Sequence, residues 1–129
     1  ALAGLVAITA EPLTPTPGLA IVIGSIGALI MYFGTKMLEN FGIDDVVGAI
    51  PVHMFAGIFG TLVVPLTNSD TSFGTQLVGT LSVCVFSFVL SYLVFKALKA
   101  TVGLRISKAA EKQGTDKSEI GVTAYSIRD

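Results

Sequence analysis

Residues Gly42 to Pro65 read GIDDVVGAIPVHMFAGIFGTLVVP, and this stretch decides the fold. It opens with two adjacent carboxylates, Asp44 and Asp45, and continues with an almost uninterrupted apolar run. About twenty apolar residues at a rise of 1.5 Å each span roughly 30 Å, the thickness of a bilayer's hydrocarbon core. The short acidic side chains can accept the first free N–H groups and suit the positive end of a helix. We therefore predict a transmembrane helix over about 44–64 that the Asp pair begins.

The only histidine of the chain, His53, lies inside this stretch, roughly 12 Å along the predicted helix from its acidic start and near mid-membrane depth. In an ideal α-helix the small residues within about 60° of it are Ala49, Ala56, Gly57 and Gly60. An ionisable group at this depth is costly in lipid, so we expect His53 to face protein or a narrow passage. A purely structural hydrogen bond across a helix interface stays open as an alternative.

Composition excludes several classes of protein. The 129 residues are 52% hydrophobic and 13% charged, with a mean hydropathy of +0.79, which indicates an integral membrane protein. The net charge of −1 and the absence of a basic cluster with aromatic residues argue against a nucleic-acid partner. The lone Cys84 cannot form an internal disulfide. No acid or second histidine shares the face of His53, so no metal site is predicted there. We also predict no cofactor and no enzyme activity for the favoured function.

Two further apolar runs are long enough to cross a membrane, and they predict helices over about 18–38 and 73–98. The nine residues Ala1–Thr9 are too short to do so and are typical of the end of a preceding helix. The sequence thus predicts an all-α integral membrane fold with three complete transmembrane helices. Residues 1–100 form its transmembrane segment, and the charged residues 101–129 form a tail outside the membrane.

Small and polar residues recur along these two helices. Ala20, Gly24 and Ala28 repeat every four residues in the first, with Gly27 and Gly34 close by on the same broad face, which predicts a seam for helix packing. The polar or small stripe of the last helix consists of Gln76, Thr80, Cys84, Ser87 and Ser91. Such a stripe usually makes hydrogen bonds to neighbouring helices, and a pore-lining role is the alternative.

The basic residues predict a topology. If the Pro-rich turn after Thr9 and the loop around Asn68 lie outside, every Lys and Arg falls on the inner side. These residues are Lys36, Lys96, Lys99, Arg105, Lys108, Lys112, Lys117 and Arg128. The positive-inside rule therefore predicts a multi-pass protein of the cell membrane with a cytoplasmic C-terminus.

The central stretch also carries a family resemblance, on the residues Asp44-Asp45, Val52-His53, Gly57 and Gly60. In this order and spacing they resemble the tenth transmembrane helix of the ammonium transporter/Rhesus channel family. The sequence departs from that pattern at Gly48, Pro51 and Met54. The first nine residues, ALAGLVAIT, resemble the end of the family's eighth helix. In the tail, the segments Val102–Ile106, Gly114–Asp116 and Ser118–Tyr125 resemble the family's cytoplasmic tail, with Ile120 and Val122 as departures.

This resemblance implies a function. The chain would be the C-terminal portion of an 11-helix inverted-repeat channel that takes up ammonium or ammonia as a nitrogen source, with one pore per subunit of a homotrimer. His53 would be the second member of its pore histidine pair, with Ala49 and Gly57 beside it in the pore. The missing N-terminal helices of the same protein would complete that pore. The tail, through Arg105 and Tyr125, would contact a PII-type regulatory protein.

Two other functions remain open from the residues alone. The chain could be a small membrane-anchor subunit of a redox complex in which His53 is an axial haem ligand. One histidine supplies only one such ligand, and a visible absorption spectrum would distinguish this case. The other alternative is a non-conducting structural membrane segment.

Overall fold

The structure is a computed structural model that describes residues 1–124, in which helices, turns and loops occur and no strand does. The helical elements are α1 (Leu2–Ile8), α2 (Pro17–Asn40), a π-helical segment (Ile50–Phe55), α3 (Ala56–Val63), a 3₁₀ turn (Val64–Leu66), α4 (Phe73–Thr101), α5 (Lys108–Gln113) and a second π-helical segment (Asp116–Ile120). The chain divides into two units, Ala1–Phe86 and the residues from Ser87 onward, each with its own internal packing. The prediction of an all-helical fold is confirmed for the described residues.

Two of the predicted membrane helices are present at full length. α2 has 24 residues and α4 has 29, and both are long and apolar enough to cross a membrane. They contain the predicted spans 18–38 and 73–98 and extend each of them at one or both ends. The short helix α1 fills most of the segment that was expected to be a helix end.

The third predicted span, 44–64, is wrong at its start. Helical structure begins at Ile50 and ends with the 3₁₀ turn at Leu66, so this apolar helix is shorter than α2 and α4. Gly48 has a φ of +68°, in the left-handed region that breaks an α-helix. The prediction of three complete transmembrane helices is therefore not supported. Pro51 lies in the first turn, where its missing N–H costs little, so it does not act as a mid-helix break.

Local chemistry explains where α2 begins and ends. The Thr16 side chain accepts a hydrogen bond from the Leu19 N–H at 3.3 Å, and Pro17 occupies the first helical turn. At the other end, Gly42 adopts a φ of +68°, and the Ile43 N–H donates to the Leu38 carbonyl at 3.0 Å. This glycine-based ending turns the chain back towards α2 and delivers the Asp pair beside its last turn.

The core of the first unit forms where α1 packs against α2 and against the helix that carries His53. Ala3, Val52 and Ala56 are buried together, with Val6 and Met31 packed around them. Close approach of the backbones depends on glycine: a Cβ on Gly27 would lie 2.8 Å from the Ala3 carbonyl oxygen. A Cβ on Gly60 would overlap the Ala7 carbonyl group. The packing is therefore that of small residues that let helices touch, as in membrane helix pairs.

The packed side of α2 agrees with the predicted seam in part. Gly24 does lie against Gly4, since a Cβ on Gly4 would be 2.9 Å from the Gly24 carbonyl oxygen. Gly27 and Gly34 of the predicted broad face are buried, together with Ile23 and Leu38, whereas Ala20 and Ala28 are only half-buried. The covered face is therefore turned by about one residue from the one that Ala20 and Ala28 indicate.

No residue of helix α4 is fully buried. Its large apolar residues are exposed, which is the composition of a helix covered by lipid or by other protein. In the predicted polar stripe, Gln76, Thr80 and Cys84 are half-buried, whereas Ser87 and Ser91 are exposed. The Thr80 hydroxyl is buried and finds no hydrogen-bond partner among residues 1–124.

Candidate functional site

The helix that carries His53 is started by one carboxylate. Asp45 Oδ1 accepts the Ala49 N–H at 2.8 Å, and Oδ2 accepts the Ile50 N–H at 2.7 Å. The same side chain therefore satisfies two N–H groups that the helix itself leaves free, and it does so with a charge that suits this end. Asp44 is exposed next to it.

The first turns of this helix are π-helical. The Ala56 N–H reaches back to the Pro51 carbonyl, five residues earlier, and also to the carbonyl of His53. This wider turn occupies Ile50–Phe55 and is followed by regular α-helix from Ala56. Single π turns inside helices are frequent at functional sites, because they change which side chains share a face.

His53 lies on the uncovered side of this helix. Pro51, Val52 and Ala56 are buried, while His53 and its neighbour Met54 are exposed. The expectation that Ala56 and Gly60 share the face of His53 is wrong: both are buried, and Gly60 lies against the Ala7 backbone. The physical reason is the π turn, which breaks the regular 100° per residue used for an ideal α-helix between His53 and Ala56.

The other two predicted pore residues lie in different surroundings. Ala49 is exposed, directly before the π-helical segment. Gly57 is half-buried, and a Cβ on it would lie 3.7 Å from Val6 Cγ1, an ordinary van der Waals contact. Ala49 and His53 are thus both accessible on this unit, and Gly57 marks the boundary between the accessible side and the side packed on α1.

A cavity of about 260 Å³ lies between the end of α2 and the start of the π-helical segment. The residues that line it are Thr35, Leu38, Glu39, Ile43, Asp44, Asp45, Val46 and Pro51. Sequence reasoning missed this cavity. The signal for it was the glycine at position 42, which folds the chain back so that Glu39 comes near the Asp pair. Within residues 1–124, no group of three or more His, Cys, Asp or Glu side chains is placed to hold a metal ion.

A hydrogen bond links the loop after α1 to the loop after the 3₁₀ turn. Glu11 Oε2 accepts from Asn68 Nδ2 at 2.9 Å, and Glu11 Oε1 accepts the Leu13 N–H at 3.2 Å. The bond from Asn68 is the main cause that lowers the pKa of the Glu11 carboxyl, with the Leu13 N–H as the second. Asn68 in turn accepts the Asp70 N–H at 2.9 Å, so one amide organises both loops.

In the second unit, two carboxylates make bonds within the tail. Arg105 forms an ion pair with Glu111, and its hydrogen bond lowers the pKa of the Glu111 carboxyl. Asp116 Oδ2 accepts the Ala124 N–H at 2.9 Å, and this bond is the main cause of its lowered pKa. Tyr125, the other residue predicted for a regulatory contact, lies outside the described residues.

Comparison with known proteins then decides the family. A sequence profile of the Ammonium Transporter Family matches residues 1–125. The chain belongs to the ammonium transporter family. The resemblance to this family is therefore confirmed at the level of the family.

Individual proteins named as ammonium transporters or putative ammonium transporters are also similar to this chain in sequence. A protein of Synechocystis sp. is 37% identical over 128 residues, covering 98% of this chain and 29% of that protein. An ammonium transporter of Archaeoglobus fulgidus is 34% identical over 146 residues, covering 97% of this chain and 31% of that protein. An ammonium transporter of Haloferax mediterranei is 35% identical over 129 residues, covering 96% of this chain and 25% of that protein. This ammonium transporter family chain spans less than a third of the length of each of these relatives.

Family membership indicates the general class of protein to which this site belongs. The relatives are named as transporters and not as enzymes, in agreement with the prediction that the protein is not an enzyme. Together with the two helices long enough to cross a membrane, membership supports a membrane protein. His53 is the single histidine in the sequence of this family member, and it is exposed on its unit.

Proposed function

We propose that the protein conducts ammonium or ammonia across a cell membrane and that His53 forms part of the wall of the pathway. Membership of the ammonium transporter family supports the substrate. The observation that carries the role of His53 is its exposure on a helix whose neighbouring residues Pro51, Val52 and Ala56 are buried. A histidine that only joined helices of this unit would be covered by them.

The chemistry of the imidazole fits this task. An ammonium ion that enters a low-dielectric passage loses hydration at a cost of several kcal/mol or more, so the passage must offer hydrogen-bonding partners. A neutral imidazole provides one N–H donor and one lone pair. It can therefore form hydrogen bonds with ammonium or ammonia as the molecule moves through the passage. Ala49 and Gly57 lie four residues to either side, where small side chains leave room for it.

The pathway needs more protein than this chain. We propose that the chain is the C-terminal portion of an 11-helix inverted-repeat transporter, and that N-terminal helices of the same protein cover the exposed side of His53. The proposal is supported by the small share of its relatives that the chain spans. It is also supported by the exposed apolar surface of α4. The complete protein would form a homotrimer.

The tail would act on the cytoplasmic face. The placement of all Lys and Arg on one predicted side supports a multi-pass protein with a cytoplasmic C-terminus. We propose that the part of the tail from Arg105 to Tyr125 lies near cytoplasmic loops and contacts a PII-type regulatory protein. The internal bonds of Arg105 and Asp116 give this segment a defined form that a partner could recognise.

Flux through the purified protein tests the proposed function. The full-length protein, reconstituted in liposomes, should give an ammonium-dependent flux that protein-free liposomes lack. Gly57→Leu should remove that flux, because the larger side chain would project from the boundary of the accessible face. Gly57→Ala is the matched control, since its Cβ meets only an ordinary contact at 3.7 Å. Flux equal to that of protein-free liposomes from correctly assembled parent protein would reject ammonium conduction.

A further inference from the structure

Gly34 of α2 makes room for two rings of the helix that carries His53. It is buried, and a Cβ placed on it would lie 2.7 Å from Phe55 Cδ2 and 3.1 Å from Pro51 Cβ. Real side-chain carbons essentially never come as close as the first of these distances. Pro51 is fully buried and Phe55 is half-buried. Because position 34 has no side chain, both rings can lie close against the backbone of α2.

The two rings belong to opposite ends of the π turn. The Ala56 N–H donates to the Pro51 carbonyl, five residues earlier, and Phe55 directly precedes Ala56. Gly34 therefore lies beside both the residue whose carbonyl closes the turn and the last residue inside it. A contact with α2 at this one position acts on the whole turn.

The residues that follow each of these rings pack on the other neighbouring helix, α1. Val52 and Ala56 are buried together with Ala3. Two residues of the turn thus pack on each helix, and the two that remain exposed are His53 and Met54. The exposure of His53 is therefore a consequence of how the turn is held between α1 and α2.

The width of the turn decides on which side of the helix His53 lies. In an ideal α-helix His53 would be about 60° around the axis from Ala56, beside the face that packs on α1. A turn that closes over five residues takes up more chain than one that closes over four, which carries His53 further around from Ala56. A π turn is rare compared with regular α-helix, so packing must hold it in place. The close approach of Phe55 and Pro51 to Gly34 supplies such packing.

We propose that Gly34 and Phe55 are positioning residues for His53. The Phe55 ring, seated at Gly34 beside Pro51, keeps the turn in its π form, and the π form keeps the imidazole away from α1. Without the ring the turn relaxes to regular α-helix, and His53 turns towards the buried Ala56. The orientation of the imidazole depends on these contacts alone, whereas its consequence for conduction rests on the proposed function.

High-resolution cryo-electron microscopy of the full-length protein reads the turn directly. In the parent, the Ala56 N–H donates to the Pro51 carbonyl. Phe55→Ala removes the ring, and we expect this N–H to donate instead to the carbonyl of Val52, four residues earlier. His53 should then lie closer to α1 than in the parent.

Two variants control for the loss of an aromatic side chain. Phe55→Leu keeps a branched carbon at the δ position, which is the part of the ring nearest Gly34, and should retain the π turn. Phe59→Ala makes the same truncation at another half-buried phenylalanine, in regular α-helix four residues later, and should also retain it.

Gly34→Ala tests the contact from the side of α2. Its methyl group would overlap the Phe55 ring, so we expect the π turn to be lost here too. Gly24→Ala is the matched control in the same helix, because its Cβ would meet nothing closer than the Gly4 carbonyl oxygen at 3.6 Å. Phe55→Ala adds no atoms, so it decides the question even where Gly34→Ala does not assemble.

Flux measurements connect the turn with conduction. In reconstituted Phe55→Ala, the selectivity for ammonium over potassium should shift in the same direction as in His53→Leu, while Phe59→Ala keeps that of the parent. A purely structural role of Phe55 would lower the amount of assembled protein and leave the selectivity of the assembled protein unchanged.

The contrary outcomes are distinct. If Phe55→Ala keeps the bond from Ala56 to Pro51, the ring does not hold the turn and the proposal fails. If Phe59→Ala loses the π turn as well, the effect is not specific to the contact at Gly34, which also overturns the proposal. If Phe55→Ala becomes regular α-helix but conducts and discriminates as the parent does, the positioning of His53 is correct and its role in the pathway is wrong.

Discussion

The Asp45 carboxylate accepts the Ile50 N–H at 2.7 Å, so a side chain from the loop after α2 fixes the first turn of the helix that carries His53. The second oxygen of the same carboxylate accepts the Ala49 N–H at 2.8 Å. Gly48 lies between Asp45 and Ala49 in the sequence and has a φ of +68°. This conformation lets the chain fold back so that Asp45 makes both bonds. The start of this helix is therefore held by a defined turn, and the orientation of His53 depends on it.

Asp45→Ala should destabilise the protein by about 1 kcal/mol, the usual cost of losing a side chain that caps a helix. Thermal unfolding in detergent measures this as a lower midpoint. Asp45→Asn keeps an oxygen acceptor and should recover part of the loss. The control is Asp44→Ala, which removes the same charge from the exposed neighbour. Equal losses from Asp44→Ala and Asp45→Ala would mean that charge, and not the two hydrogen bonds, begins this helix.

Gly60→Ala should disrupt the packing of α1 on the helix that carries His53. The added Cβ would overlap the Ala7 carbonyl. This group belongs to the backbone of a helix, so it cannot move away by changing a side-chain rotamer. We expect a loss of about 1–3 kcal/mol, read as a lower unfolding midpoint or a lower yield of assembled protein. Gly57→Ala makes the same change three residues earlier, with only Val6 Cγ1 at 3.7 Å, and should be tolerated. Similar behaviour of the two variants would contradict the described helix contact.

The bond between Glu11 and Asn68 should make stability depend on pH. The pKa of Glu11 is lowered from its ordinary value of 4.5, so the folded state favours the charged form. The stabilisation is then present above that value and is lost as the pH falls below it, through the folded pKa. Asn68→Ala should lower the unfolding midpoint at neutral pH, and the difference from the parent should shrink on acidification. A difference that stays constant down to about pH 3 would show that Asn68 acts without the carboxylate.

Removing the tail after Gly103 should change transport or its control in the full-length protein. This truncation deletes the ion pair of Arg105 with Glu111 and the segment that Asp116 closes onto Ala124. Flux with and without a PII-type protein measures both effects. A milder variant, Glu111→Gln, breaks the ion pair and leaves the length unchanged. Unchanged flux and unchanged response to the regulator in the truncated protein would rule out the regulatory role of this segment.

The sequence predicted some parts of this fold well, for a physical reason. α2 and α4 follow from apolar runs longer than a bilayer requires, and no local feature interrupts them. The start of the helix with His53 was placed six residues too early, at 44 instead of Ile50. Asp45 does bind the first N–H groups, but it does so from a turn that depends on the φ of Gly48. A glycine can take this conformation or a helical one, and the sequence alone does not distinguish them.

The candidate site was predictable only in part. His53 stands out because an ionisable residue in an apolar helix is rare and costly. Its neighbours in space were assigned by ideal α-helical periodicity, which fails across the π turn and wrongly added Ala56 and Gly60 to its face. The contact of Glu11 with Asn68 joins residues 57 apart in sequence, and no local pattern indicates it. Such contacts depend on how α1 packs, which is a property of the whole unit.

The role of His53 is tested most directly by His53→Leu in the full-length protein. The side chain is exposed on its unit, so this variant should fold and assemble as the parent does. Met54→Leu, at the exposed neighbouring position, is the control for a changed apolar surface. Fluxes of ammonium and of potassium are measured through reconstituted parent, variant and control. We predict that His53→Leu substantially changes ammonium flux or its selectivity over potassium, while Met54→Leu changes neither. If assembled His53→Leu conducts and discriminates as the parent does, His53 is a packing residue and does not line the pathway.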